Sequence, residues 1–237
     1  MLMPRNKSIA GTHAGAQMFC DIVRPLLIPK SPQSILVAGC GNGSEALHIR
    51  VDLDVQVTGV DVNLAAEGGV GADLDRFELL QGSVLDLPYP DNSFDFVFYH
   101  HVIEHVTDPA KSLDELARVL MPDGLIYVGT PNRHRVVGYI GSHTATTYQK
   151  LKWNAADYRA RLRNRFRNEF GAHAGFSEKE LSALLSRRFV DIQFVTSDYL
   201  RFKYGDRLPR PVMDALCAQP FLEVAAPSIY AVARKSQ

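Results

Sequence analysis

The amino-acid sequence predicts an α/β fold in which helices cover both faces of a mainly parallel sheet. The apolar run 35–38 has the length of a buried strand and leads through a glycine-rich turn into a helical segment. A second apolar run ends at Asp61, and an amphipathic segment that begins at Asp108 separates two later strands. Strands that alternate with helices in this way pack side by side as parallel strands of one sheet.

The glycine-rich turn, Gly-Cys-Gly-Asn-Gly at residues 39–43, predicts a ligand-binding site. Glycines let a ligand approach the backbone, and the N-terminus of the following helix offers N–H groups and a positive dipole end to an anionic group. Asp61 ends the second strand, where a carboxylate can accept both hydroxyls of a ribose. A nucleotide-like ligand is therefore expected. Ser44 replaces the third glycine of the dinucleotide pattern, which argues against NAD.

Other elements follow from local patterns. Asp108 and Pro109 suit the start of a helix that runs to Leu120, and residues 177–180 form a capping box that opens another. The remaining predictions are helices at 13–28, stopped near Pro25, at 44–49 and near 63–68, and strands at 55–60, 76–81, 94–99, 125–129, 189–196 and 228–234.

Five short motifs, taken in order, resemble the class I S-adenosylmethionine-dependent methyltransferases. They lie at residues 36–43, 59–61, 87–95, 120–125 and 129–132. The resemblance implies a Rossmann-like sheet of seven strands with helices on both faces, an antiparallel last strand, and an insertion after strand five. It divides the chain into an N-terminal helical cover at 1–30 and a methyltransferase domain at 31–237, with a basic insertion at about 133–176.

The resemblance also implies S-adenosylmethionine as the cofactor and assigns residues to it. Most relatives have an acidic residue where this chain has Ser83, beside the expected adenine position, and another where it has Val37. We expect cofactor binding to survive with weaker polar contacts. The expected cofactor-binding residues are Gly39, Cys40, Gly41, Gly43, Asp61, Val62, Ser83, Val84 and His100.

The segment after strand four carries the candidate chemistry. His101, Glu104 and His105 have the spacing of one face of a helical turn. Two imidazoles and a carboxylate there suit a divalent metal with open positions. The pattern is similar to that of ubiquinone-pathway catechol O-methyltransferases and small-RNA 2′-O-methyltransferases, whose downstream histidine corresponds to His173. His101 replaces their first glutamate, which favours a softer metal than Mg²⁺. A metal site, a metal-free base at His101 and a structural role all remain open.

Composition narrows the classes of partner. The 237-residue chain has a formal net charge of zero, three widely spaced cysteines and no long apolar run, so we expect a cytoplasmic protein without a transmembrane segment. The insertion concentrates positive charge, which suits a lid over an anionic substrate, contact with membrane or RNA phosphates, or an ordinary solvated helix. Its basic residues are Arg133, Arg135, Lys150, Lys152, Arg159, Arg161, Arg163, Arg165 and Arg167.

Together these features predict a methyltransferase that acts on a hydroxyl of a small molecule. A base is needed only if the acceptor must lose a proton, and His101 is the candidate. Two alternatives are an RNA 2′-O-methyltransferase that uses the basic insertion and a cofactor-binding regulator without catalytic activity.

Overall fold

The computed structural model describes residues 13–28, 33–64, 74–139, 145–170 and 173–236. Its strands are β1 (Ser34–Ala38), β2 (Gln56–Asp61), β3 (Phe77–Gln81), β4 (Phe94–His100), β5 (Leu120–Pro131), β6 (Phe189–Phe194) and β7 (Ser228–Lys235). Its α-helices are α1 (Ala14–Val23), α2 (Ser44–Leu53), α3 (Pro109–Val119), α4 (Thr147–Leu162), α5 (Glu178–Leu185), α6 (Thr196–Tyr204), α7 (Arg210–Cys217) and α8 (Phe221–Ala225).

The seven strands form one sheet in the order β3-β2-β1-β4-β5-β7-β6. The first five strands are parallel to their neighbours, and β7 runs antiparallel to both β5 and β6. The predicted Rossmann-like sheet with an antiparallel last strand is therefore confirmed. Strand order reverses between β1 and β4, and ligands of open α/β sheets bind in the crevice at such a point.

Each face of the sheet has its own hydrophobic core, because side chains of a strand alternate between the two faces. Leu36 packs with Leu113 and Leu116 of α3 and with Leu181 of α5 on one side. On the other side, alternate β1 residues such as Val37 pack with α1, α2 and α6. Val37 is thus a core residue.

Four local predictions need correction or lie partly outside the described residues. Helix α1 ends at Val23, and Pro25 lies in a following 3₁₀ turn (Arg24–Leu26). Strand β5 is longer than predicted at both ends. The helix expected near 63–68 falls largely on residues outside the described ranges, as do residues 1–12 and 29–30 of the N-terminal cover. The segment between Tyr199 and Pro227 contains most of α6 and all of α7 and α8.

The two ends of the basic insertion meet at one point. Asn132 and Phe176 form an isolated parallel bridge, and the amide of Phe176 donates to the carbonyl of Pro131. Gly175 sits against the same carbonyl with a φ of +67°, and a Cβ there would lie 1.8 Å from the Pro131 oxygen. Only glycine fits this close approach.

Candidate active site

The glycine turn is held against the end of β2 by its own backbone. The amides of Gly39 and Cys40 both donate to the carbonyl of Val60, and the amide of Gly43 donates to Cys40. These three N–H groups are therefore occupied within the protein and hold the shape of the turn. Gly41 has a φ of +56°, and a Cβ built on it would meet no described atom within 4 Å. The open space that a ligand needs lies above Gly41.

Asp61 links this turn to the end of β2. Its Oδ2 accepts a hydrogen bond from the Gly41 amide at 2.8 Å, and its Oδ1 accepts one from the Asn63 amide at 2.8 Å. A carboxylate oxygen can accept more than one hydrogen bond, so both oxygens keep capacity for the hydroxyls of a ribose. Burial raises the pKa of the Cys40 thiol to about 12, and Asp61 contributes to that shift. Cys40 is therefore a packed neutral thiol.

The other expected cofactor residues lie along the same edge of the sheet. Val62 follows β2 and is exposed. Ser83 and Val84 follow β3, where the Ser83 hydroxyl accepts from the Leu85 amide and Val84 is buried. Backbone and apolar contacts are available here, while the Ser83 hydroxyl already has a local partner.

A cavity of about 410 Å³ opens beside the glycine turn, where β4, β5 and β7 meet. The segment after β4 joins the two regions, because the Val102 side chain lies against Gly39. Most of the lining is polar or aromatic. It comprises Ala14, Gly15, Glu45, His100, His101, Glu104, His105, Pro131, Arg135, Tyr139, His173, Tyr199, Lys203, Tyr204, Pro227, Ser228 and Tyr230.

His100 ends β4 in a narrow slot between α1 and β5. A Cβ on either Gly15 or Gly129 would lie 2.6 Å from an atom of the imidazole, so both glycines make room for the ring. Its Nδ1 lies 3.2 Å from the Glu45 carboxylate, while its buried Nε2 has no hydrogen-bond partner among the described residues. Burial would raise the pKa of Glu45, but the imidazoles of His100, His101 and His13 together outweigh it and lower that pKa.

His101 and Glu104 form a hydrogen-bonded pair in the next turn. The His101 Nδ1 lies 3.2 Å from Glu104 Oε1, and the Thr130 hydroxyl donates to Oε2 at 3.0 Å. The Glu104 side chain is 1% exposed, whereas that of His101 is 37% exposed toward the cavity. Residues 101–105 form a bend and a tight turn, so the predicted helical turn is wrong, although the side chains still converge.

His101 has an unusual backbone conformation and a shifted pKa. Its φ is +56°, a left-handed conformation that a non-glycine residue seldom adopts, and its amide donates to the Gly129 carbonyl at 2.8 Å. Although part of the ring faces the cavity, desolvation by the surrounding protein lowers the pKa of His101, and His100 lowers it further, against the opposing effect of Glu104. Burial would raise the pKa of Glu104, but its hydrogen bond with His101 and the nearby imidazoles hold it below the ordinary value. At neutral pH the pair is a neutral imidazole beside a carboxylate.

His105 and His173 complete the polar side of the cavity. Their rings meet edge to face with centroids 4.9 Å apart, and the Nε2 of His105 is 3.9 Å from Glu104 Oε1. The four expected metal-ligating residues are therefore neighbours. Within the ranges that the structure describes, however, no three or more His, Cys, Asp or Glu side chains are arranged to hold a metal ion.

Several lining residues escaped the sequence analysis because distant elements bring them in. Tyr199 stacks on Tyr230 at a centroid distance of 3.9 Å, and the Lys203 ammonium donates to the Tyr199 hydroxyl at 3.2 Å. Burial lowers the pKa of Lys203, and Arg207 adds to the effect. The sequence does contain a signal for Glu45, because this residue lies in the first turn of the helix that follows the glycine turn.

Comparisons with known proteins agree with this geometry. Residues 36–128 match a family described as "Methyltransferase domain". A probable S-adenosylmethionine-dependent methyltransferase of Mycolicibacterium smegmatis is 40% identical over 101 residues, which cover 43% of this chain and 39% of the relative. Ajmaline N-methyltransferase of Rauvolfia serpentina is 34% identical over 108 residues, which cover 42% and 36% of the two chains. The chain thus spans about two fifths of the length of the curated relatives it matches.

A solved structure extends the likeness in fold to nearly the whole chain. Phosphoethanolamine N-methyltransferase 2 of Haemonchus contortus superposes with a TM-score of 0.59 at 18% identity, over 93% of this chain and 53% of that one. No helix in the described part of the chain is long and apolar enough to cross a membrane.

Proposed function

We propose that this chain, which carries a methyltransferase domain of the class I S-adenosylmethionine-dependent family, transfers a methyl group to a hydroxyl of a small molecule. The observation that carries the hydroxyl assignment is the His101–Glu104 pair. A hydroxyl must lose its proton as its oxygen bonds to carbon, and a neutral imidazole held by a buried carboxylate can accept that proton.

The residues around the glycine turn fit S-adenosylmethionine. Gly41 leaves space that a side chain would fill, Asp61 has acceptor capacity for a ribose, and the buried Nε2 of His100 lacks a partner among the described side chains and backbone. Glu45 and His100 connect this region to the cavity. When bound, the cofactor would supply an electrophilic methyl carbon on a sulfonium, whose sulfur would keep the electron pair of the broken carbon–sulfur bond and leave as a neutral thioether. Alignment of that carbon with the acceptor accounts for much of the rate in a displacement of this kind.

The cavity residues then have distinct roles toward the acceptor. The second ring nitrogen of His101 takes the hydroxyl proton, and Glu104 stabilises the imidazolium that forms. Tyr199 and Tyr230 offer an aromatic wall, which suits an acceptor with a ring. A volume of about 410 Å³ suits a small molecule.

A divalent metal at His101, Glu104, His105 and His173 is the competing proposal for the same cluster. Their present arrangement does not fit a metal well, because Glu104 already accepts from His101 and Thr130. We therefore derive no step through a metal. Elemental analysis and turnover in the presence of a chelator separate the two proposals: loss of turnover that Mn²⁺ or Zn²⁺ restores supports the metal.

Methyl transfer from labelled S-adenosylmethionine onto fractionated metabolite pools tests the activity. We expect label in a compound that releases it on ether cleavage but not after mild treatments that cleave esters. Label on nitrogen would contradict the hydroxyl assignment, and the N-methyltransferase among the matched relatives makes an amine the second acceptor class. Label in RNA would support the 2′-O alternative. Cofactor binding with no transfer to any pool would support the regulator.

A further inference from the structure

Helix α4 in the insertion contacts the rest of the protein through polar side chains. Asn154 accepts from the Gly138 amide and donates to its carbonyl, and Asp157 accepts from Arg135 and from the Tyr139 hydroxyl. The Arg161 guanidinium donates to the carbonyls of residues 133 and 135. None of the residues of α4 is buried. Most of the contacts of the inner face are thus polar, and the Trp153 ring adds one apolar contact with Tyr139 at a centroid distance of 5.1 Å.

The outer face of α4 is apolar. Successive helical residues turn by about 100°, so Tyr148, Leu151, Ala155 and Leu162 fall on one stripe. Asn154, Asp157 and Arg161 lie on the other side of the helix. Three residues of the stripe are strongly exposed: Leu162 by 88%, Tyr148 by 75% and Leu151 by 66%. Exposed leucine and tyrosine side chains grouped on one face make that face a candidate interaction surface.

Basic residues border this stripe and continue past the end of the helix. Lys152 and Arg159 lie beside it on the helix, and Arg163, Arg165 and Arg167 follow it along the chain. All five are exposed, and none forms an ion pair with a carboxylate in the described part of the chain. On a chain of zero net charge, the outer face of α4 is a local surface of apolar and cationic side chains.

We propose that the outer face of α4 docks on the surface of an anionic lipid bilayer. An exposed apolar stripe bordered by Lys and Arg is the chemistry of helices that lie in the membrane interface, where leucines enter the acyl boundary and cations meet lipid phosphates. The combination of positive charge and apolar side chains favours an anionic bilayer over the other binding partners for this face. A second copy of this chain would bring like charges together, and a nucleic-acid backbone would leave the leucines in water.

Docking would also place the cavity near the bilayer. Arg135 and Tyr139 line the cavity, and both contact Asp157 on the inner face of α4. The docking itself does not depend on methyl transfer, so either proposal can fail alone.

Flotation with vesicles tests the docking. The full chain is mixed with vesicles of phosphatidylcholine alone, or of equal parts phosphatidylcholine and phosphatidylglycerol. We expect it to float only with the anionic vesicles, less so at high salt. The pair Leu151→Ser/Leu162→Ser should abolish flotation. Lys152→Ala/Arg159→Ala should lower the partition coefficient roughly 25-fold, about fivefold for each cation.

Exposed residues elsewhere provide the matched control. Val51 on α2 and Val190 on β6 are 67% and 48% exposed, so Val51→Ser/Val190→Ser removes comparable apolar surface away from α4. We expect this control to float like the parent. All variants should keep their circular dichroism spectrum, since none of the substituted side chains is buried.

Three outcomes would overturn the proposal. Absence of flotation with anionic vesicles would make α4 a solvated helix. Salt-sensitive binding of single-stranded RNA without flotation would assign the cations to nucleic acid. A dimer that dissociates in the Leu151→Ser/Leu162→Ser variant would assign the stripe to a second copy.

Discussion

Replacing Asp61 should separate its contact with the cofactor from its role in the glycine turn. In Asp61→Ala the cofactor ribose loses a charged hydrogen-bond acceptor, which is worth roughly 1.5–3 kcal/mol and corresponds to a loss of affinity of roughly 10- to 150-fold. The Gly41 amide also loses the Oδ2 acceptor that it reaches at 2.8 Å. We expect the free energy of unfolding to fall by about 1 kcal/mol as well.

Asp61→Asn is the matched variant. Its amide oxygen can still accept from the Gly41 amide, whereas its NH2 group cannot accept from the Asn63 amide. Stability should therefore fall less than in Asp61→Ala, while affinity falls through the loss of charge. Titration calorimetry with S-adenosylhomocysteine measures the affinity, and urea denaturation measures the stability. An unchanged dissociation constant in Asp61→Ala would refute the ribose assignment. A fall in stability without a fall in affinity would reduce Asp61 to a residue that holds the turn.

Further predictions concern the proposed role of the His101–Glu104 pair and two glycines. Glu104→Gln should lower kcat roughly 10- to 100-fold, because His101 loses a charged partner, and should leave cofactor affinity unchanged in calorimetry. The acid limb of kcat should lie below the ordinary histidine value of 6.5, because burial lowers the pKa of His101. Stability linked to neutral His101 is likewise present above 6.5 and is lost as the pH falls through the lowered folded-state pKa. In Glu104→Gln the limb should move lower still, since the carboxylate raises that pKa; a limb that moves up would contradict the pairing. Gly175→Ala should cost at least about 2 kcal/mol in urea denaturation, because the new Cβ meets the Pro131 carbonyl, whereas Gly41→Ala should cost less and should mainly weaken cofactor binding.

Local patterns in the sequence predict the fold well because each element has its own signal. The capping box at Ser177 and the Asp108–Pro109 start lie where the structure has helix N-termini, and both caps are formed. The strands were recognisable as short apolar runs between turns. The glycine turn and Asp61 also lie together as expected, since the ends of adjacent parallel strands must meet.

The acceptor side of the site was harder to predict because it is assembled from distant segments. His105 meets His173 only because the insertion returns to the sheet, and Lys203 and Tyr199 arrive from a helix after β6. The turn at 101–105 also departs from the helical geometry that its spacing suggested. There the backbone of His101 is fixed by a hydrogen bond to β5, a long-range contact that no local pattern reveals.

The arginine-rich insertion shows why charge alone is ambiguous. Arg135 is 3% exposed and pairs with Asp157, and Arg161 lies over the Phe166 ring, so these two hold the segment together. Arg163 and Arg165 are exposed. The same residue type serves the interior and the surface, and only the packing distinguishes them.

Because the two ends of the insertion are bridged to each other, the whole segment could be exchanged as a unit. Because Asn132 and Phe176 are bridged, the chain between them can lengthen or shorten without pulling on the sheet, and loop closure costs little more as length grows. A different segment grafted between these bridged ends would replace Arg135, Tyr139 and His173 at the cavity. Asp61 and the glycine turn would remain intact. One scaffold could in this way acquire new acceptors by exchange of a single segment.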